Sequence, residues 1–317
     1  MIQLKNILVP VDFSRPSENA FAYALSLAVR FRAQITVAHV VASLAGFEFT
    51  FPNGVADPEK LAIDSARQAL QDFVQSRARS GAGAQVQVRS VLKTGDVRDE
   101  LLHIVDEEKI DLVALGTHGR RSIERFILGS TTEHLLRKLP VPILTVPLME
   151  AGAETGNSEL IPIRRIVYAT DLSANAEIGL RYAAEVARSF GAALTLLHAV
   201  DQLEAGQRFI HVRGAEHSDI DSVRESAMER LRQAMASERI ADTQAEAIVL
   251  DGTPHRTITQ FVHDTNADLL ILNLQSKGIL ERVMLGATAE RVIRSSHMPV
   301  LSIPIDTAAR FMPVSTA

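Results

Sequence analysis

One stretch of the 317-residue chain has residue types and spacing that could hold an anion. It reads Gly116-Thr-His-Gly119, followed after nine residues by Gly129-Ser130-Thr131. The short apolar run Asp111-Leu-Val-Ala-Leu115 precedes it and is typical of a buried parallel strand. Gly116 and Gly119 carry no Cβ and can take positive φ, so backbone N–H groups here could turn toward a ligand. The pattern predicts a phosphate-binding loop at the end of a strand.

The polar residues after Gly129 predict the start of a helix. Ser130 and Glu133 have the spacing of a capping box, in which the serine would be the N-cap residue. The first turn of a helix offers unpaired N–H groups and the positive end of the helix dipole to a phosphate. A capping box by itself indicates only a helix start, and its fixed distance from the glycines favours a ligand site.

The basic pair Arg120-Arg121 directly follows Gly119. Arg120 could reach the terminal phosphates of a bound ligand, because a guanidinium forms strong charge-assisted hydrogen bonds to phosphate oxygens. It could equally be a solvated charge on a loop. The sequence leaves both interpretations open.

The loop pattern and two further segments resemble the universal stress protein family. Gly-x-x-Gly, nine residues and Gly-Ser-Thr is similar to the family's ATP-binding signature. The opening segment from Asn6 to Ser14 resembles the family's first strand and acidic turn, and Ala38-His39-Val40 resembles the end of its second strand. The resemblance covers nearly the whole chain. It implies ATP as the ligand, with Mg²⁺ or Mn²⁺ held mainly through the phosphates.

The resemblance also assigns roles to individual residues. Asp12 would contact the adenosine end of the nucleotide, although a carboxylate there could instead form an Asx-type cap on the helix starting at Ser14. Val40 would pair with the adenine edge through its backbone, or it is an ordinary strand valine. The residues expected to line phosphate and ribose are Gly116, Gly119, Gly129, Ser130 and Thr131. Phe47, Phe49 and Phe51 alternate after this strand and form either a lid over the base or a short β segment.

The chain contains the same unit twice. Asp12 matches Asp171 and His39 matches His198 at an offset of 159 residues, and later landmarks such as Gly129 and Gly286 match at 157. The predicted organisation is a first domain at 1–148, a linker at 149–162, a second domain at 163–306 and a tail at 307–317.

Strand and helix patterns alternate within each repeat. In the first repeat they predict strands near 5–11, 34–41, 85–92, 111–115 and 142–146, separated by helices over 14–32, 59–79, 96–108 and 130–139. This alternation predicts an α/β fold of two tandem doubly wound parallel sheets of five strands each. The resemblance places it among Rossmann-like, adenine nucleotide alpha hydrolase-like folds. It also implies that the last strands pair within the chain, so that the repeats form a pseudo-twofold pair, and a homodimer of the full chain is a further alternative.

The second repeat departs from the glycine pattern. Asn273, Ser276 and Ala287 stand where the first repeat has Gly116, Gly119 and Ser130, whereas Gly286 and Thr288 are retained. Side chains in a loop that needs bare backbone predict a degenerate site. Gly278 could restore some freedom to the loop, so weak binding there is an open alternative.

The amino-acid composition and net charge limit the classes of protein and of site that this chain can represent. The chain has no cysteine, which excludes disulfides and thiol chemistry. A net charge of −5 and a pI near 6.1, without a Lys/Arg cluster, argue against nucleic-acid binding. The N-terminal apolar run from Ile7 to Val11 is too short for a signal peptide or a membrane span, so we expect a cytoplasmic protein. The histidine spacing matches no zinc motif.

Known catalytic motifs are missing from the sequence. It contains no P-loop lysine motif, no kinase motif set and no dinucleotide G-x-G-x-x-G after the first strand. We therefore expect a nucleotide-binding protein of stress response or signalling that hydrolyses ATP very slowly or not at all. The alternatives are a slow ATPase or phosphotransferase, and a nucleotide-independent interaction or chaperone-like scaffold.

Overall fold

The structure is a computed structural model that describes residues 2, 4–43, 58–78, 84–117, 128–148, 160–173, 175–201, 218–236, 240, 243–274 and 285–304. These residues form ten strands and eight helices. The chain divides into two compact units. The first comprises residues 3–139 and 146–161, and the second comprises 1–2, 140–145 and 162–317. The domain limits read from the sequence are limits of the repeats, and they stay a prediction.

The first unit alternates strands and helices along the chain. Its elements are β1 (Asn6–Pro10), α1 (Arg15–Phe31), β2 (Gln34–Ala42), α2 (Pro58–Ala78), β3 (Val88–Gly95), α3 (Val97–Glu107), β4 (Leu112–Gly116) and α4 (Ser130–Lys138). The strands are parallel and lie in the order β3-β2-β1-β4. The chain builds outward from β1 to β3 and then returns to the other side of β1 with β4. This reversal creates a crevice at the carboxyl ends of β1 and β4, where α/β sheets bind ligands.

The second unit repeats this alternation. Its elements are β5 (Ile143–Val146), β6 (Arg165–Ala169), α5 (Ala176–Phe190), β7 (Ala193–Val200), α6 (Ser218–Met235), β8 (Ala245–Asp251), α7 (Pro254–Asp264), β9 (Leu269–Leu274), α8 (Ala287–Ser295) and β10 (Val300–Pro304). The order is β5-β10-β9-β6-β7-β8. The strands β6 to β10 pair in parallel. The predicted α/β class with mainly parallel sheets is therefore confirmed.

Strand β5 is the antiparallel strand of the second unit. It pairs with β10 in the register Thr145↔Val300, Leu144↔Leu301 and Ile143↔Ser302. The Thr145 hydroxyl also donates to the Val300 carbonyl at 3.2 Å. Because β5 and β10 are the last strands of the two repeats, exchanging equivalent residues reproduces the same register around the Leu144–Leu301 pair.

Most element limits agree with the sequence patterns, and β3 differs. It was predicted near 85–92 and runs from Val88 to Gly95, and α3 follows it almost at once. The Asp96 carboxylate caps α3 by accepting the N–H groups of Arg98 at 2.9 Å and Asp99 at 3.3 Å. The Arg98 side chain and these N–H groups lower the pKa of Asp96, so the cap is charged at neutral pH.

The core of each unit lies around its central strands. Ile7, Leu8 and Val9 of β1 are fully buried, as are Leu270 and Ile271 of β9. Near-continuous apolar runs of this kind are typical of parallel strands covered on both faces. Across the described residues, no helix combines the length and apolar character needed to cross a bilayer.

The first turn of α1 packs directly on the end of β4. A Cβ added to Gly116 would lie 2.6 Å from the Cβ of Pro16 and 2.8 Å from its carbonyl carbon. Such contacts are sterically forbidden, so this position must be glycine. Gly116 does not have positive φ, and close approach of the helix, rather than turn conformation, explains the residue.

The second unit joins the equivalent elements through a side chain. Asn273 takes the place of Gly116, and its Nδ2 donates to the Asn175 carbonyl at 2.8 Å. Room for Asn273 comes from Gly179 of α5, where an added Cβ would lie 1.8 Å from Asn273 Oδ1. Below this contact the fully buried Tyr168 hydroxyl donates to the Ala176 carbonyl at 2.6 Å. Burial raises the pKa of Tyr168, so the hydroxyl stays protonated and remains a donor.

The Gly179–Asn273 contact predicts a coupled effect on stability. Gly179→Ala should lower the free energy of unfolding by about 2 kcal/mol, because overpacking outweighs the roughly 1 kcal/mol helix preference for alanine. In an Asn273→Gly background the same change should cost at least about 1 kcal/mol less. Urea unfolding of the four proteins measures this coupling. Additive effects of the two substitutions would contradict it.

Candidate functional site

The turn after β1 is fixed by the Asp12 side chain. Asp12 Oδ1 accepts the Ser14 N–H at 3.1 Å and also the Ser14 hydroxyl. Ser14 is the N-cap residue of α1, but its hydroxyl makes no hydrogen bond to the helix N–H groups. Pro16 lies in the first turn of this helix. The Asx-type turn foreseen as an alternative role for Asp12 is therefore present, and it does not exclude a ligand.

The same turn occurs in the second repeat. Asp171 Oδ1 accepts the Ser173 N–H at 2.9 Å. The middle residues of the two turns, Phe13 and Leu172, both have left-handed backbones, with φ of 62° and 56°. The turn alone thus accounts for the retention of Asp171 in a repeat whose loop has lost its glycines.

Val40 lies on β2 beyond the end of β1. The last β1–β2 pair is Pro10↔Ala38, after which the Val11 N–H donates to the Ala38 carbonyl at 2.8 Å. Backbone polar groups of successive strand residues point to opposite sides. The N–H and C=O of Val40 therefore point to the same side as the Ala38 carbonyl, past the point where β1 turns away.

His39 and His198 have equivalent hydrogen bonds. The Nδ1 of His39 lies 2.7 Å from the Val11 carbonyl, and that of His198 lies 2.9 Å from the Thr170 carbonyl. Because a carbonyl can only accept, each Nδ1 carries the proton. The repeated histidine therefore has the same hydrogen-bonding role in both repeats.

The base of the glycine loop is closed by backbone hydrogen bonds. The Gly129 N–H donates to the Thr117 carbonyl at 2.8 Å, and the Thr117 N–H donates to the Val146 carbonyl at 2.9 Å. The Thr132 hydroxyl donates to the Gly116 carbonyl at 3.1 Å. These bonds place the start of α4 against the end of β4. Gly119 and Arg120 lie outside the described residues.

The predicted capping box at Ser130 and Glu133 is wrong. Gly129 is the N-cap residue of α4, with φ −60° and ψ 143°, and Ser130 is the first helical residue. The Glu133 N–H donates to the Gly129 carbonyl at 2.9 Å, while its carboxylate pairs with Arg137 at 3.1 Å. The exposed Ser130 side chain is thus not the cap. The N–H groups of Ser130, Thr131 and Thr132 have no acceptor within the helix, as at every helix start.

The start of α8 has the same geometry. Gly286 is its N-cap residue with identical φ and ψ, the Glu290 N–H donates to Gly286 at 2.9 Å, and Glu290 pairs with Arg294. Ala287 therefore does not remove an N-cap hydroxyl, because the N-cap residue is a glycine in both repeats. The second repeat instead lacks two hydroxyls beside the cap, because Ala287 and Ala289 replace Ser130 and Thr132.

The sequence patterns did not identify Pro16, Thr117 or Thr132 as residues that build the site. Nothing in the spacing of Pro16 along the sequence indicates that it contacts Gly116. Thr132 could have been found by comparing repeats, since Ala289 replaces it. Within the described ranges, no group of three His, Asp or Glu side chains is arranged to hold a metal ion.

Comparison with known proteins agrees with this architecture. The sequence profile of the universal stress protein family matches residues 3–147 and 162–304. Universal stress protein Rv2005c of Mycobacterium tuberculosis is 26% identical over 304 residues, which cover 93% of this chain and 95% of that protein. Universal stress protein MJ0577 of Methanocaldococcus jannaschii is 26% identical over 166 residues, 46% of this chain and 96% of that protein.

The fold has counterparts among solved structures. The crystal structure of a universal stress protein from Archaeoglobus fulgidus superposes with a TM-score of 0.67 at 20% identity, covering 96% of this chain and 100% of that one. This likeness concerns the fold, and the family profile, matched twice, concerns the sequence. The chain therefore belongs to the universal stress protein family and carries two repeats of it in tandem.

Proposed function

We propose that the first repeat binds ATP and that the bound nucleotide controls a conformation or a partner interaction in stress response or signalling. The observation that carries this proposal is the start of α4. A glycine cap leaves the first-turn N–H groups of α4 without an acceptor within the helix. The Thr132 hydroxyl bonds to the Gly116 carbonyl and so holds this helix start against the end of β4. A helix start of this kind attracts phosphate through its N–H groups and its dipole.

The phosphate end of the nucleotide would lie on this helix start. Ser130 and Thr131 offer hydroxyl and N–H donors, and Gly119 and Gly129 would allow close approach of the backbone. Gly116 would contribute indirectly, because it lets α1 pack against the end of β4 beside the ligand. Arg120 is proposed to reach the terminal phosphates. A divalent metal, Mg²⁺ or Mn²⁺, would bind mainly through phosphate oxygens, because these hard cations prefer oxygen ligands and often use substrate phosphates.

The adenosine end would lie at the carboxyl ends of β1 and β2. The Asp12 carboxylate suits the hydroxyl donors of a ribose. The direction of the Val40 N–H and C=O, past the last β1–β2 pair at Pro10↔Ala38, suits the edge of an adenine ring. The strand order supports placing both ends in one crevice, since β1 lies between β2 and β4.

The second repeat is proposed not to hold a nucleotide. Asn273 fills the strand end with a side chain that bonds to the Asn175 carbonyl. Ala287 and Ala289 remove the hydroxyls that the first repeat has at its helix start. Since the backbone geometry of the two helix starts is the same, the side chains account for the proposed difference.

Pairing of the repeats through β5 and β10 is a further part of the proposal. The symmetric register around Leu144 and Leu301 supports it. Each of these strands would otherwise be a sheet edge with unpaired N–H and C=O groups, which promotes association between chains.

Gly129→Asp should abolish ATP binding without unfolding the protein. Aspartate is a favoured N-cap residue, and the extended backbone at Gly129 suits it. Its carboxylate would accept the N–H groups proposed for phosphate and repel the nucleotide. Titration calorimetry should find one ATP per wild-type chain and no measurable binding by the variant.

Gly286→Asp is the matched control, because Gly286 has the same φ and ψ at the start of α8. It should change helix capping in the same way and leave both ATP affinity and stoichiometry unchanged. Two comparable sites in the wild-type chain, or loss of binding in the control, would count against a single site in the first repeat. Thermal unfolding checks that both variants are folded.

Bound ATP should be turned over very slowly or not at all. Donors that hold the phosphates equally in ground state and transition state do not accelerate hydrolysis, and the proposed position of Asp12 is far from the terminal phosphate. The test is single-turnover hydrolysis with excess protein and Mg²⁺ or Mn²⁺. Complete conversion of bound ATP within seconds would show that this chain is an enzyme, provided that the conversion is slowed by His118→Ala, which replaces the histidine of the Gly116-Thr-His-Gly119 stretch.

A fragment of residues 1–148 should dimerise through β5, because its natural neighbour β10 is absent. Light scattering over a concentration series measures this. Thr145→Lys in the fragment should keep it monomeric, since a charged side chain on a strand edge opposes pairing. A strictly monomeric, folded fragment at high concentration would remove the support for pairing through β5.

A further inference from the structure

An aromatic cluster lies directly beside the turn after β1. It consists of Phe13, His39 and Phe73. The Phe13 ring is tilted on the His39 ring with centroids 4.6 Å apart, and it meets the Phe73 ring edge-on at 6.1 Å. Phe73 is buried in α2, whereas Phe13 and His39 are half-buried. The cluster thus joins the turn, the end of β2 and α2.

Two members of the cluster are sequence neighbours of the two residues proposed for the adenosine end. Phe13 follows Asp12, and His39 precedes Val40. His39 also reaches back to the Val11 carbonyl at 2.7 Å. One set of rings therefore fixes the backbone next to Asp12, the proposed ribose contact, and the backbone next to Val40, the proposed adenine contact.

The far side of the cluster is anchored to α1. Phe73 also packs edge-on against Phe21 of α1 at 5.6 Å. The Arg77 guanidinium lies 4.2 Å above the Phe73 ring and pairs with Glu18 of α1 at 2.7 Å. Because α1 begins at the turn itself, these contacts connect the turn, α2 and α1 in a closed circuit. A ring that is packed on several sides can in turn hold its neighbours in place.

The second repeat keeps the turn and the histidine but lacks the two phenylalanine rings. His198 stands in place of His39, with an equivalent hydrogen bond to the Thr170 carbonyl. Leu172 replaces Phe13 and adopts the same left-handed backbone, although this conformation costs roughly 1 kcal/mol for any side chain. Arg230 stands at the position of Phe73, and its guanidinium donates to the Leu172 carbonyl. Since the turn forms in the second repeat without Phe13 and Phe73, these two rings serve something other than turn formation.

Resting on the ATP site described above, we infer that Phe13, His39 and Phe73 are positioning residues for the adenosine end of the nucleotide. They hold the Asp12 carboxylate and the backbone of Val40 at a fixed separation. The phosphate end does not depend on them, because α4 is attached to β4 through Gly129 and Thr132.

The experiment compares full-length wild type with Phe13→Leu, a substitution that the second repeat already accommodates at Leu172. The variant should bind ATP about tenfold more weakly, equivalent to about 1.4 kcal/mol. Hydrogen exchange at saturating ATP should show wild-type protection over residues 129–133 in both proteins. Protection over residues 11–14 and 39–42 should be strong in wild type and largely lost in the variant.

Phe31→Leu is the control, because it removes a ring of the same size from the last residue of α1, at the opposite end of that helix from the turn. It should lower the thermal stability, and its ATP affinity and its protection over 11–14 and 39–42 should stay at the wild-type level. Unchanged affinity and protection in Phe13→Leu, or equal losses at both ends of the nucleotide, would overturn the inference alone. Absence of ATP protection in wild type would overturn the ATP site and the inference with it.

Discussion

The close approach of α1 to the end of β4 is the constraint on which the site depends. Because Gly116 has no Cβ, the first turn of α1 at Pro16 can lie against strand backbone. The Asp12 turn immediately precedes this helix, so the same contact brings the turn and the glycine loop to one crevice. The Thr132 hydroxyl then attaches α4 to the Gly116 carbonyl. The absence of a side chain at Gly116 thus sets the positions of the first turns of α1 and α4.

The second repeat meets the same requirement by a different route. It places a polar side chain, Asn273, between strand and helix and makes room for it with Gly179. In the first repeat the glycine that makes room for the contact is on the strand, and in the second repeat it is on the helix. A substitution at either position is therefore constrained by the other, whereas in the first repeat the constraint falls on strand backbone and leaves the crevice open.

Hydrophobic periodicity and the self-match of the chain were sufficient to predict the α/β class and the order of the elements, whereas the position of the candidate site was predicted from the glycine spacing and stays a prediction. They depend on burial and on strand ends, which leave a regular pattern in sequence. The capping box at Ser130 and Glu133 was mispredicted for a physical reason. A glycine can cap a helix through its backbone alone, so the serine pattern one position later carried no information about the cap.

Other features of the site have no local signature at all. The contact of Gly116 with Pro16 joins residues far apart in the chain, and the ring contacts of Phe13 depend on a left-handed backbone that its neighbours in sequence do not indicate. Comparison of the repeats carries part of this information. Arg230 replaces Phe73 in the second repeat, and Ala289 replaces Thr132. At these positions the two repeats share the same backbone but have side chains with different roles.

The glycine caps of α4 and α8 have a consequence for how such a tandem protein evolves. Replacing a side-chain cap by glycine costs only a few tenths of a kcal/mol, and it relieves the next residue of any part in holding the helix end. Serine and alanine are then nearly interchangeable for folding at positions 130 and 287. A duplicated repeat can accordingly gain or lose ligand-binding hydroxyls through substitutions that are almost neutral for stability, and selection on binding acts on each copy separately.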